Sequence, residues 1–151
     1  MGSKVDWFRG LMAGAKLGPV LYAVELGLSL LYTEVYLNRL LGYETRFAGI
    51  GDLVLYLVGD LIIVLVITIV IGVLFARFEE RLHGPTVHAK AIVLFAPLWS
   101  LYTVTTALVL AGSYERPFPG YEAFVMVLVL MSIPYGYLLG SLWEVQGPTD
   151  W

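Results

Sequence analysis

Apolar residues in this chain neither alternate at the period of a strand nor keep to one stripe of a helix. They run together in four long blocks divided by short polar stretches. A bilayer is crossed by roughly 20 mostly apolar residues in a helix, and every block reaches that length. Residues 91–114 and 123–143 carry no charge at all, and residues 53–76 enclose only Asp60. Residues 14–36 hold Lys16, Glu25 and Glu34, with Glu25 between apolar stretches 17–24 and 26–33. The pattern predicts an all-α integral membrane protein, a single membrane domain over 1–151 with four transmembrane helices. They form two tandem hairpins, 10–76 and 91–143, joined by a polar loop at 77–90.

Composition narrows the class further. The chain is 59% apolar and 14% charged, against about 45–50% and about 25% in soluble domains, too little polar surface to face water. A soluble globule and a disordered tail are excluded on that ground. Nine Lys and Arg against twelve Asp and Glu give a net charge of −3, with no basic run to follow a phosphate backbone, so no nucleic-acid partner is expected. The absence of cysteine removes disulfides, thiolate metal sites and cysteine nucleophiles. Lys4 and Arg9 lead into Gly-rich sequence rather than a compact apolar core with a cleavage site, so no signal peptide is expected. One asparagine (Asn38) and one glutamine (Gln146) point to a heat-loving prokaryote.

Short-loop Lys and Arg set the orientation. Four spans place the N-terminus, the middle loop and the C-terminus on one side. That side holds Lys4, Arg9, Lys16, Arg77, Arg81 and Lys90; the other holds Arg39, Arg46 and Arg116. Both termini are therefore expected in the cytoplasm, in the cell membrane.

An internal repeat is also legible. Tyr43-Glu44-Thr45-Arg46-Phe47-Ala48-Gly49 matches Tyr114-Glu115-Arg116-Pro117-Phe118-Pro119-Gly120, and Leu31-Tyr32-Thr33 matches Leu101-Tyr102-Thr103 upstream. Each copy is a helix, a Tyr-Glu-x-x-Phe-x-Gly loop and a second helix, entering from the same side. This predicts a parallel pseudo-two-fold repeat about an axis along the membrane normal.

Membrane helices associate through small residues and polar contacts, since lipid tails are as apolar as leucine. Gly10, Gly14 and Gly18 recur every four residues on the first helix, and Glu25 and Ser29 continue that face. Ala96, Ser100, Thr103, Ala107 and Ala111 mark the third helix; Ser132, Gly136 and Gly140 mark the fourth, with Pro134 placed to kink it. The second helix is nearly uniform aliphatic sequence over 61–75 and is expected at the periphery, facing lipid. Trp7, Phe8, Trp143 and Trp151 sit where interfacial anchors belong.

The candidate chemistry is an intramembrane acidic site. An ionisable group inside a span costs about 2.5–3.5 kcal/mol on insertion scales and usually marks function. Glu25 lies mid-helix, and Asp60 lies roughly 10 Å deep at 1.5 Å per residue. Asp52 and Tyr56 precede Asp60 at four-residue spacing, a polar track from the outer surface; Tyr22 and Ser29 flank Glu25. No Lys or Arg lies deep in any span, so the acids are protonated, hold a proton or cation in transit, or are neutralised by a base from another subunit.

Other constellations are weaker. Glu80 and His83 have a di-iron Glu-x-x-His spacing, but it occurs once, in a charged loop near His88. The run Arg77, Glu79, Glu80, Arg81 reads as a solvated helix end with local ion pairs. No histidine lies in a span to ligate haem, and no hydrolase triad, P-loop or dinucleotide motif is present. No histidine or lysine lies near the hydroxyls Ser100, Thr103, Thr105 and Thr106. No cofactor is expected. The leading expectation is a small non-catalytic subunit of a larger respiratory or transport complex, bound to other membrane subunits in the lipid bilayer. The alternative is a proton- or cation-coupled transporter or channel built from copies of itself around Glu25 and Asp60. A lipid-processing enzyme using the two acids as an acid/base pair comes third.

Overall fold

A computed structural model of the chain describes residues 6–43, 49–112 and 118–147, with the side chains of Asp52 and residues 110–112 left out. Every regular element among the described residues is helical. Helix α1 spans Trp7–Leu30 and α2 Ile50–Phe78, followed by a 3-10 turn at Glu79–Arg81; α3 spans Val87–Gly112 and α4 Tyr121–Gln146. All four are long and apolar enough to cross a membrane.

The first span is longer than the hydrophobic pattern implies. Asp6 caps α1 by accepting the Arg9 backbone N–H at 3.0 Å. The helix then continues past Leu30 as a π-helical stretch over Leu31–Leu40, 34 residues in all. Here the Thr33 hydroxyl donates to the Ser29 carbonyl at 2.8 Å, a side-chain bond that competes with the regular helical ladder. Gly42, at φ 71°, turns the chain out of the helix in the left-handed conformation that favours glycine.

The Gly10–Gly14–Gly18 stripe packs directly on α2. A Cβ at Gly10 would stand 2.5 Å from the Gly72 carbonyl oxygen, and one at Gly14 would stand 2.7 Å from the Ile69 Cα. Gly18 faces Thr68 and Leu65. The two backbones touch, which is what small residues permit between membrane helices. In this α1–α2 hairpin, α2 is not a lipid-facing bystander over 61–75. Val64, Thr68, Ile71, Gly72 and Phe75 are buried, while Ile62, Ile63, Val66 and Val70 face outward. Uniform aliphatic sequence carries no periodicity to reveal this; the glycine face of the partner selects the buried side.

The α3–α4 hairpin closes in the same manner. Gly136 lies against the Ile92 backbone and Gly140 against the His88 backbone, and Ser100 Oγ donates to Ser132 Oγ at 3.4 Å. On α3 the facing positions thus run back from Ser100 to Ile92 and His88; Thr103 is buried, Ala96 and Ala107 are half-buried, and the Ala111 side chain lies outside the described residues.

The hairpins meet chiefly through α1 and α4, with α2 and α3 in slight contact. At the end where α1 begins and α4 finishes, Arg9 Nε donates to the Trp143 carbonyl at 2.8 Å and its guanidinium lies 4.1 Å from the Trp143 ring centroid. Trp143 also meets Phe75 edge-on at 5.3 Å and is only 6% exposed. It is a core residue and not the interfacial anchor its position suggests, because the hairpin seam closes over it. Trp7 and Phe8 are exposed, and Trp151 lies outside the described residues. At the far end the Tyr32 hydroxyl donates to the Pro119 carbonyl at 2.9 Å, its ring stacks on Phe124 at 4.6 Å, and Tyr43 meets Phe118 edge-on. Most of the repeated loop motif, residues 44–48 and 114–117, lies outside the described residues, as does Lys4.

Candidate intramembrane acidic site

Antiparallel packing of α1 on α2 brings the two acids together. Each four-residue step along α1, from Gly10 to Gly14 to Gly18, is answered by a step back along α2 from Gly72 through Thr68 to Leu65. The same register continues to Tyr22, whose hydroxyl donates to the Leu57 carbonyl at 2.8 Å. Glu25 and Asp60 therefore stand at nearly the same depth, within electrostatic reach of each other.

Glu25 is half-buried, and the Trp99 indole of α3 donates to its Oε1 at 3.1 Å. This is the one side-chain hydrogen bond between α1 and α3 among the described residues, and it ties the two hairpins at mid-depth. Tyr102, one turn beyond Trp99, lies within reach of Glu25, Asp60 and Tyr56. Tyr135 of α4 packs edge-on against Trp99 and Phe95, 1% exposed, and its hydroxyl has no hydrogen-bond partner among the described residues. It lies within electrostatic reach of Glu25.

The placement of the remaining sequence candidates is mixed. Asp60 is half-buried on α2, Tyr56 is 51% exposed one turn nearer the loop, and the Asp52 side chain lies outside the described residues. Ser29 is half-buried and serves through its backbone carbonyl. Among the described residues neither carboxylate has an ion-pair partner. Ion pairs form elsewhere, between Lys90 and Glu79 at 2.9 Å and between His88 and Glu144 at 3.7 Å, both at the end of the bundle that bears the chain termini. Glu79 thus pairs across to α3 instead of within its own helix end, and Glu80 and His83 are both exposed.

Three contributors escaped the sequence reading: Trp99, Tyr102 and Tyr135. Trp99 and Tyr102 are three residues apart in an uncharged span, so they share a helix face. That spacing alone does not distinguish a site from ordinary core.

One constellation formed only by folding is at the end bearing the termini. His88 Nε2 lies 3.1 Å from Ser141 Oγ, and His88 Nδ1 lies 3.7 Å from Glu144 Oε1. The order Ser–His–Glu resembles a hydrolase triad, but its parts do not serve one. The Ser141 hydroxyl donates to the Tyr137 carbonyl at 3.1 Å. The carboxylate stands beyond hydrogen-bond length from the ring, and Ser141 lies inside α4, where backbone N–H groups are spent on the helix and leave no oxyanion hole. The His88 ring stacks on Tyr137 at 4.4 Å and helps seat α3 on α4.

Comparison with protein-family models, with curated proteins and with solved structures finds no match for this chain.

Proposed function

We propose that the chain moves protons or cations across a membrane as a homo-oligomer, with Glu25 and Asp60 holding the ion in transit. The observation that carries this reading is the convergence of two carboxylates from α1 and α2 at one depth, with no ion-pair partner among the described residues. Such groups are costly in a bilayer and are characteristic of ion and proton paths. Four helices with one acid pair do not enclose a path unaided, so further copies complete its wall. The Lys and Arg distribution supports cytoplasmic termini, the scarcity of Asn, Gln and Cys supports a prokaryotic cell membrane, and the Tyr-Glu-x-x-Phe-x-Gly loops support a parallel repeat of two hairpins.

A second reading, a non-catalytic subunit of a larger respiratory or transport complex, is favoured by the same unpaired acids, which a basic residue of another subunit would neutralise. The other argument for it weakens: Gly10, Gly14, Gly18, Gly136 and Gly140 are taken up by contacts inside the chain. Glu25→Gln and Asp60→Asn separate the readings. Transport requires either change to abolish proton or cation flux in liposomes while assembly stays intact. Release of the variant from a native complex, with no flux at any stage, would overturn transport in favour of the subunit role, since an unpaired buried charge would be left on the partner.

A further inference from the structure

We infer that the ion held at Glu25 and Asp60 is the proton rather than a metal cation, and that Tyr135 is a positioning residue for the Glu25 carboxyl. This rests on the reading of the two acids as an ion site and names the ion.

The groups around the acids come from α1, α3 and α4, namely Tyr22, Trp99 and Tyr102, and Tyr135, with Tyr56 of α2 beside Tyr102. Trp99 presents an N–H to Glu25 Oε1. An indole nitrogen donates only, so a metal ion at that position would meet a hydrogen and no lone pair. Hard cations take six or more oxygen ligands, and membrane sites for them draw on unwound backbone carbonyls. Unwound backbone is not at hand here, and beyond the two carboxylates the oxygens around the site are phenol hydroxyls rather than carboxylates or free carbonyls. Helices α1 and α2 run unbroken through Glu25 and Asp60, so the carbonyls there accept helical bonds, and the Leu57 carbonyl also accepts from the Tyr22 hydroxyl. Among the described residues no three acidic or histidine side chains gather in one place.

The second observation is the Tyr135 hydroxyl, without a partner among the described residues, on a residue 1% exposed whose ring packs edge-on, 6.2 Å between centroids, against the Trp99 indole that donates to Glu25. A buried hydroxyl normally has a partner. A phenol serves a carboxyl in either state, since it donates to the carboxylate and accepts from the acid, directly or through one water. Loading is balanced within the site. Hydronium gives up one O–H bond, a new O–H bond forms on Glu25 Oε2, and water leaves; Oε1 keeps its bond from Trp99.

The test is infrared titration of the full chain reconstituted in lipid, with the Glu25 carboxyl band identified by its loss in Glu25→Gln. The titration is run in sodium, potassium or lithium, and with a bulky organic cation in their place. The expected result is a midpoint that stays fixed in every salt and moves in Trp99→Phe and Tyr135→Phe, while the unfolding temperature of Tyr135→Phe holds. A competing metal site would lower the midpoint by about one pH unit for each tenfold rise in that cation. Such a drift, or the lack of any titrating band that Glu25→Gln removes, overturns the inference. Flux measured on the same samples keeps the two claims apart. Flux lost in Glu25→Gln together with sodium competition leaves transport standing and removes the proton. A salt-independent band without flux leaves the proton site standing and removes transport.

Discussion

Gly14→Ala should destabilise the bundle even though alanine is the better helix former. The new Cβ would collide with the Thr68 carbonyl oxygen and stand 2.7 Å from the Ile69 Cα and 2.8 Å from the Thr68 carbonyl carbon. Comfortable carbon–carbon contact lies at about 3.5–4.0 Å, so α1 and α2 would have to part by about 1 Å. All three obstructing atoms are backbone, and no rotamer change relieves them. Overpacking of this kind costs about 1–3 kcal/mol. Alanine returns about 0.5–1 kcal/mol of helix propensity, for a net loss of up to about 2.5 kcal/mol and a gap of about 1–3 kcal/mol from a glycine with open space. Gly27→Ala is the control: nothing lies within 4 Å of its Cβ position, so only the propensity gain of about 0.5–1 kcal/mol remains. Reversible unfolding in mixed detergent micelles, followed by circular dichroism, compares the two. Equal stability of Gly14→Ala and Gly27→Ala would refute the backbone contact between α1 and α2.

Two further outcomes are expected. Gly120 and Gly42 share φ 71°, but a Cβ at Gly120 meets the Tyr36 ring at 3.0 Å whereas Gly42 faces open space; Gly42→Ala should cost about 1–2 kcal/mol in the same unfolding assay, and Gly120→Ala distinctly more. Ser141 should resist a fluorophosphonate ester probe and Ser141→Ala should change stability by less than about 0.5 kcal/mol; stoichiometric labelling of Ser141 would show an activated nucleophile after all.

The four spans were legible because a bilayer demands about 20 apolar residues whatever the neighbours are, and the glycine stripes because close approach demands small side chains. What each stripe touches was not legible. Gly14 signals a close contact, but the contacted face of α2 is one side of an aliphatic cylinder with no mark of its own. The same limit applies at the site. Glu25 and Asp60 stand out as acids in apolar surroundings, whereas Trp99 and Tyr135 are aromatic residues among many, and only the packing of α3 and α4 shows which ones face the carboxyl. Trp143 reads as an interfacial anchor for a related reason. A tryptophan near a span end satisfies the interfacial pattern whether it meets headgroups or, as here, Phe75 and Arg9 across the seam.

The distribution of close contacts bears on where an ion would enter. Gly10, Gly14 and Gly18 supply the close approach from the first helix of one hairpin, and Gly136 and Gly140 from the second helix of the other, so the two closures are not copies in packing. Both nevertheless lie in the half that bears the chain termini. There α1 and α2 touch backbone to backbone, and Arg9 and Trp143 lock the seam. Beyond Glu25 and Asp60 toward the loops, Gly27, Gly49, Gly51 and Gly59 have nothing within 4 Å of their Cβ positions. The seam there is held by Tyr32 against Phe124 and Pro119. The acids sit just past the end of the tight zone, so under the proposed transport an ion reaching them between α1 and α2 would come from the loop side. Passage onward requires the glycine contacts to open or a route along the α1–α4 seam. Gly14→Ala, which parts α1 from α2, would distinguish the two: flux through the glycine zone changes in the variant, and flux along the α1–α4 seam does not.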